Sequence, residues 1–464
     1  MTYRQKPPAV PSPPPAVPSP PPEAAQAAPP VARPLAGPQG VRTGPDAAHV
    51  IADVARRLTD PRAVERIAVA AGNTDRYADG PARAPWEASS LIEGFCGVAL
   101  LHAELGRADT AARTTAHAHL VAAGAPSWSP RLPTGLYEGP AALAFAARAA
   151  AHGPGDYATL LSRLDQAVLT HVRVLATAPS APPRYEVLSG LAGLGRRLLA
   201  GRREHRGTLE AVLRRLVRLA EPVPAHGTEL PGWWRGDDGP PDRVRLGMAH
   251  GIAGPLALLA LTARHGTGVP GARGAADRMA QWLLHWRQYD EAGPFWPSEV
   301  SLHEQLTGGL VRQPRPRAGW CHGSAGIARA LQLAGLVYGR PDWSQAGLDA
   351  LGAVLIRTLG PHPMTNTGLC HGWAGLLRIT QLMARDAATT AAFDDRLDAV
   401  TDAVLCRFRP DAPFGFALDS PGEVHLARDR AGFLEGAAGT ALALHAHLHR
   451  ADPATGWDAA LLID

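Results

Sequence analysis

Ala249-His250-Gly251-Ile252-Ala253-Gly254, Trp320-Cys321-His322-Gly323-Ser324-Ala325-Gly326 and Leu369-Cys370-His371-Gly372-Trp373-Ala374-Gly375 are three versions of one phrase. Each sets a His, or a Cys-His pair, directly before a glycine-containing turn that opens an apolar stretch. Four further copies keep the turn without those residues. They are Leu91-Ile92-Glu93-Gly94-Phe95-Cys96-Gly97, Leu136-Tyr137-Glu138-Gly139-Pro140-Ala141, Tyr185-Glu186-Val187-Leu188-Ser189-Gly190-Leu191-Ala192-Gly193 and Phe433-Leu434-Glu435-Gly436-Ala437-Ala438-Gly439. The copies recur at intervals of about 45 to about 72 residues, room for a helix pair and its loops.

A second, more charged helix is predicted between consecutive copies, as over 157–176, 208–220, 275–287, 343–358 and 391–408. Gly/Ala-rich apolar helices alternating with amphipathic ones predict an inner and an outer ring. Seven such pairs closing on themselves make an all-α fold, an α/α toroid of seven inner and seven outer helices. Strand signals are nearly absent. Glycine at each inner-helix start lets the backbone turn sharply and lets neighbouring starts crowd around an axis. The N-terminal helix dipoles then converge on one face and favour anions there.

Outside this pattern lies a Pro/Ala/Ser-rich stretch from Pro7 to about Gly44. It has too few apolar anchors to offset its ordering entropy, so residues 1–45 are expected to be a disordered or polyproline-like tail. Residues 46–464 are expected to form the folded domain. Pro231-Gly232-Trp233-Trp234 and Pro294-Phe295-Trp296-Pro297 lie in linkers, where their tryptophans either line a peptide groove or plug the toroid's edges.

Composition narrows the function. The 464 residues are 46% hydrophobic and 19% charged, with a formal charge of +4, and the arginines are scattered. That is no nucleic-acid footprint. No apolar run approaches a membrane span, and Met1 to Lys6 leads into proline rather than a secretory core, so a soluble cytoplasmic protein is expected. Four cysteines in a chain this long do not make a disulfide framework. Cys96 and Cys406 read as small buried apolar side chains. No P-loop or dinucleotide fingerprint is present.

The remaining two cysteines belong to the Cys-His-Gly phrases. Cys and His are the usual zinc ligands, and a catalytic zinc keeps three protein ligands and one open position. Cys321, His322, Cys370 and His371 offer four candidates, of which three are expected to reach one ion. Two thiolates and a neutral imidazole cancel the charge of Zn²⁺, which suits activation of a substrate thiol better than hydrolysis. His250, with no cysteine neighbour, is then available for proton transfer. Arg317 precedes Cys321 by four residues and can stabilise negative charge near the metal.

At these residues the sequence resembles the LanC-type lanthipeptide cyclases, from about Asp46 onward. The resemblance implies closure of (methyl)lanthionine thioether rings, by addition of a peptide cysteine thiol to a dehydroalanine or dehydrobutyrine made beforehand. It implies Cys321, Cys370 and His371 as zinc ligands, His250 as the proton-transfer residue, and Arg317 as the family arginine before Trp-Cys. Glu186 stands where the family has an aspartate, and His322 where tyrosine is common. Both count as catalytic candidates. The implied partners are a dehydrated precursor peptide, a dehydratase and a peptide transporter. Two other readings stay open: a zinc enzyme adding thiols to another electrophile, and a scaffold of a peptide-modifying complex with little catalysis.

Overall fold

The structure is a computed structural model describing residues 45–75, 82–125, 135–177, 184–201, 205–235, 242–309, 317–360, 363–388, 390–418 and 428–464. Apart from Pro45, the expected tail lies outside the described residues. The first eight helices are α1 (Ala47–Arg57), α2 (Pro61–Ala68), α3 (Phe95–Leu105), α4 (Thr110–Gly124), α5 (Gly139–Ala150), α6 (Ala158–Thr177), α7 (Leu191–Leu199) and α8 (Arg206–Leu219). The others are α9 (Ala253–Arg264), α10 (Ala272–His285), α11 (Leu302–Thr307), α12 (Ser324–Tyr338), α13 (Pro341–Leu359), α14 (Trp373–Asp386), α15 (Thr390–Leu405) and α16 (Ala437–His449).

Each copy of the glycine phrase opens an inner helix: α3, α5, α7, α9, α12, α14 and α16. These helices are buried on nearly every side, as in α9, where Ala253 through Thr262 are all buried. Outer helices bury one stripe instead, such as Leu161, Leu164, Val168, Val172 and Ala176 of α6. Each inner helix packs on the next, and α16 packs on α3, so the ring closes. The outer partner of α16 is α1, taken from the other end of the sequence. The fold is the α/α toroid that the pattern predicts.

A second ring, of backbone hydrogen bonds, joins the seven turns. N–H groups of Leu91, Tyr137, Val187, Ala249, Cys321, Cys370 and Phe433 donate in turn to carbonyls of Tyr137, Leu188, Ala249, Cys321, Cys370, Leu434 and Leu91. Their lengths run from 2.8 to 3.3 Å. Turns this close leave no room for side chains at the crossings. A Cβ on Gly247 would lie 2.1 Å from the Cys321 carbonyl, and one on Gly319 2.5 Å from the His371 Cα.

The centre of the ring is filled by a short 3₁₀ helix, Trp457–Leu461, and the residues after it. Leu461, Leu462 and Ile463 are wholly buried. Side chains arrive from around the ring to hold this plug. Arg329 of α12 donates to the Ile463 carbonyl at 2.7 Å, and Arg378 of α14 pairs with Asp458 at 2.6 Å. Arg196 of α7 pairs with Asp464, and Glu104 of α3 accepts the Ala454 N–H at 2.9 Å.

Two sequence expectations change. Among the described residues six short strands pair antiparallel: β1 (Pro222–Ala225) with β2 (Thr228–Pro231), β3 (Arg243–Arg245) with β6 (Glu299–Ser301), and β4 (Gln288–Asp290) with β5 (Gly293–Phe295). At three or four residues each, they are too short for a period-two pattern to register. Cys406 is exposed rather than buried, its thiol 3.4 Å from the Ala403 carbonyl at the end of α15. The tryptophans resolve toward plugging: Trp233 and Trp296 are 2% and 1% exposed, and the Trp296 indole N–H donates to the Leu283 carbonyl at 2.7 Å.

One buried pair makes the fold acid-sensitive. His102 of α3 and His119 of α4 stack with centroids 5.7 Å apart, and both aim Nε2 at the Leu58 carbonyl, at 3.0 and 2.8 Å. Burial pushes both imidazoles down to about 4. A folded pKa below the unfolded value means the unfolded state binds more protons. This stability is therefore present above about pH 6.5 and is lost as pH falls from 6.5 toward 4, by roughly 3 kcal/mol per histidine at most. Urea unfolding between pH 7.5 and 4.5 checks this. His119→Gln keeps an N–H donor for Leu58 and is expected to remove about half of that slope.

Candidate metal centre and active site

Copies five and six are neighbours in the turn ring, so residues 49 positions apart in sequence meet: the Cys321 N–H donates to the Cys370 carbonyl at 3.1 Å. This brings the ligand atoms of Cys321, Cys370 and His371 within 4.8 Å of one another, the one such cluster among the described residues. Ligands around a tetrahedral zinc stand roughly 3.5 Å apart, so the donor set and spacing fit that ion. Of the four sequence candidates, His322 is the one left out of the cluster.

The thiols already favour charge separation. Cys370 donates to Cys321, which makes Cys321 the more acidic of the two; His371 and His322 add to this against the opposing effect of burial. Burial alone pushes the His371 imidazole down, but its contact with Cys321 and the Glu435 charge raise it overall. The ring is held from two sides, with Asn366 Nδ2 at 2.9 Å from Nε2 and Glu435 Oε1 at 3.8 Å from Nδ1. A ligating histidine donates its second N–H to an acceptor, and of these two neighbours the Glu435 carboxylate is the one that can accept.

Copies three and four meet in the same way, through the Val187 N–H to the Ala249 carbonyl. Glu186 Oε2 lies 3.3 Å from His250 Nδ1. The carboxylate also accepts from the Leu188 N–H at 2.8 Å, the Ser189 N–H at 2.6 Å and the Ser189 hydroxyl at 2.7 Å. Burial works to raise the Glu186 pKa, and the bonds from His250 and Ser189 outweigh it, so the group stays ionised.

Residues 85–462 match the profile of the lanthionine synthetase C-like protein family. The chain belongs to the lanthionine synthetase C-like family. Among solved structures it is similar to nisin cyclase, at 19% identity and a TM-score of 0.67, over 89% of this chain and 98% of that one. It also aligns with cellobiose 2-epimerase from Bacillus thermoamylovorans at 10% identity and a TM-score of 0.43, over 87% of this chain and all of that one. No curated protein matches.

His322 links the two halves of this lanthionine synthetase C-like site. Its ring stacks on His250, with centroids 5.2 Å apart and planes at 18°, while its backbone follows Cys321. Burial lowers its pKa, and the His250, Arg245 and Arg317 charges add to that while Cys321 opposes it. The Arg317 side chain is exposed, and its charge reaches both His322 and His371. Two residues escaped the sequence reading. Glu435 carried a usable signal, since it precedes Gly436 as His371 precedes Gly372 in the adjacent copy. Asn366 carried none, because its place beside His371 depends on the turn geometry; its Oδ1 accepts the Gly368 N–H at 2.6 Å.

Among the described residues no helix is long and apolar enough to cross a membrane.

Proposed function

We propose that residues 46–464 form a zinc-dependent cyclase that adds peptide cysteine thiols to dehydroalanine or dehydrobutyrine, closing thioether rings in a ribosomally made precursor. The observation that carries this reading is the two-thiol, one-imidazole cluster set beside the His250–Glu186 pair. A zinc ion held by Cys321, Cys370 and His371 would keep one position open, where a peptide thiol loses its proton and remains nucleophilic.

The protein residues account for the rest. Glu186, ionised and anchored by Ser189, takes the Nδ1–H of His250 and so leaves Nε2 basic. Nε2 accepts the proton released by the thiol. Sulfur bonds to Cβ of the dehydro residue, and its double-bond electrons move to form the enolate. The convergent inner-helix N-termini and Arg317 stabilise that charge. His250 then returns the proton to Cα, so the addition is balanced with no leaving group. Both ligand thiols must stay reduced, in keeping with a cytoplasmic setting. The substrate requires a prior dehydration step, which makes a dehydratase the natural partner and a peptide transporter the consumer of the product.

The ionised Glu186 and its contact with His250 support catalysis over a scaffold role. A test uses zinc-loaded protein with a peptide carrying one dehydroalanine and one cysteine. Ring closure leaves the mass unchanged and removes one alkylatable thiol. The proposal fails if the peptide thiol persists, and glutathione consumption in a parallel reaction with a simple acceptor would point to a different electrophile.

A further inference from the structure

The plug at the centre of the toroid touches the ring of turns at two points, one of them in a turn that carries a candidate metal ligand. The Trp320 indole N–H donates to the Leu461 carbonyl at 2.8 Å, and the Tyr137 hydroxyl donates to the Ala460 carbonyl at 2.8 Å. Both donors are wholly buried, and their rings lie 6.4 Å apart. Each sits next to the chemistry. Trp320 is bonded to Cys321, while Tyr137 donates its backbone N–H to Leu188, two residues beyond Glu186. Burial raises the Tyr137 phenol well above its usual range, and Cys370 and Glu186 add to that, which sets its hydroxyl in the field of both halves of the site.

The plug is itself firmly held. Arg329 and Arg378 fix it at Ile463 and Asp458. Leu462, between Leu461 and Ile463, has φ of 56°, a left-handed conformation that non-glycine residues adopt only when their surroundings impose it. Two consecutive carbonyls thus form a rigid floor on which a tryptophan and a tyrosine rest. The backbone of Cys321 is pinned sideways by Ala249 and Cys370, and Trp320 adds a tie from below.

We propose that the 457–463 plug is a positioning element for the metal centre, acting on Cys321 through Trp320 and on the adjoining turn through Tyr137. This rests on the metal-binding reading above. Trp320 and Tyr137 are positioning residues and neither is a ligand: Trp320 sets how closely the Cys321 thiol meets the other two donors, and Tyr137 supports Trp320 through their ring contact on the plug.

The test compares full-length wild type with Trp320→Phe, Tyr137→Phe and a matched control, Tyr338→Phe. The control removes a buried hydroxyl that bonds the Leu259 carbonyl at 3.0 Å away from the site. Zinc affinity is measured against a chromophoric chelator, the thiolate-to-metal absorption is read in cobalt-substituted protein, and thermal melting is recorded without metal. Trp320→Phe is expected to weaken zinc binding about tenfold, the scale of outer-shell losses, and to shift the cobalt band. Tyr137→Phe changes both in the same direction and less. Tyr338→Phe lowers the melting temperature and leaves both readouts alone. Wild-type affinity and an unshifted cobalt spectrum in Trp320→Phe and Tyr137→Phe would overturn the proposal. If Trp320→Phe does not fold, Tyr137→Phe decides alone. A wild type that takes up no zinc overturns the metal reading, and this one with it.

Discussion

Cys370→Ala is expected to purify with close to no zinc where the wild type holds one ion, and to close rings at least about a thousandfold more slowly. The variant removes one of three donors. Cys321 and His371 remain as a two-ligand site, and two ligands seldom hold zinc against a chelator. Loss of the ion also removes the thiolate on which the addition depends. Metal analysis and ring-closure rate should fall together, and chelator-stripped wild type should reproduce the loss and recover when zinc is restored. A Cys370→Ala protein that keeps its zinc would show that the thiol is not a ligand; one that loses zinc and keeps its rate would show that the ion is not catalytic.

His250→Asn separates proton transfer from metal binding. Asparagine places an amide near the position of Nδ1, so the bond to Glu186 is retained in outline, but it offers no basic Nε2. Zinc content should be unchanged, because His250 lies outside the cluster. The rate of ring closure is expected to fall by about 10²–10⁴, the usual contribution of a positioned acid–base group. Mixed with deuterated water, any residual product should also lose stereochemical control at Cα, because solvent then delivers the proton. Unchanged turnover in His250→Asn would remove this residue from the mechanism.

Much of this was legible in the residues. Seven glycine phrases and the charged stretches between them specified the ring, because close-packed turns demand glycine and a closed inner ring demands helices apolar all round. The candidate metal ligands were visible as two Cys-His pairs, since few other uses explain such pairs at equivalent positions. The choice among the four candidates was not legible in the residues alone; the family resemblance implied Cys321, Cys370 and His371, and these three do cluster. His371 reaches the cluster while His322, with the same neighbour, stacks on His250 instead, and only the turn-to-turn hydrogen bonds decide which way each ring faces. Asn366, the β-hairpins and the plug were hidden for other reasons. Asn366 depends on how its turn folds, the strands are too short to show a period, and the plug is fixed by contacts with remote helices. The partner of α16 was not visible in the order of the phrases either, because α1 supplies it across the seam.

That seam sets the architecture's tolerance to change. An open solenoid can gain or lose a unit and remain sound, since each unit leans only on its neighbours. A wheel whose rim is completed by contacts between Leu91 and Phe433 has no such freedom: dropping one spoke leaves a gap that neither edge can span. Diversification in such a molecule is therefore confined to the loops between spokes. Its assembly must wait for the most distant parts of the chain to find each other, which favours slow, all-or-none folding over piecewise growth.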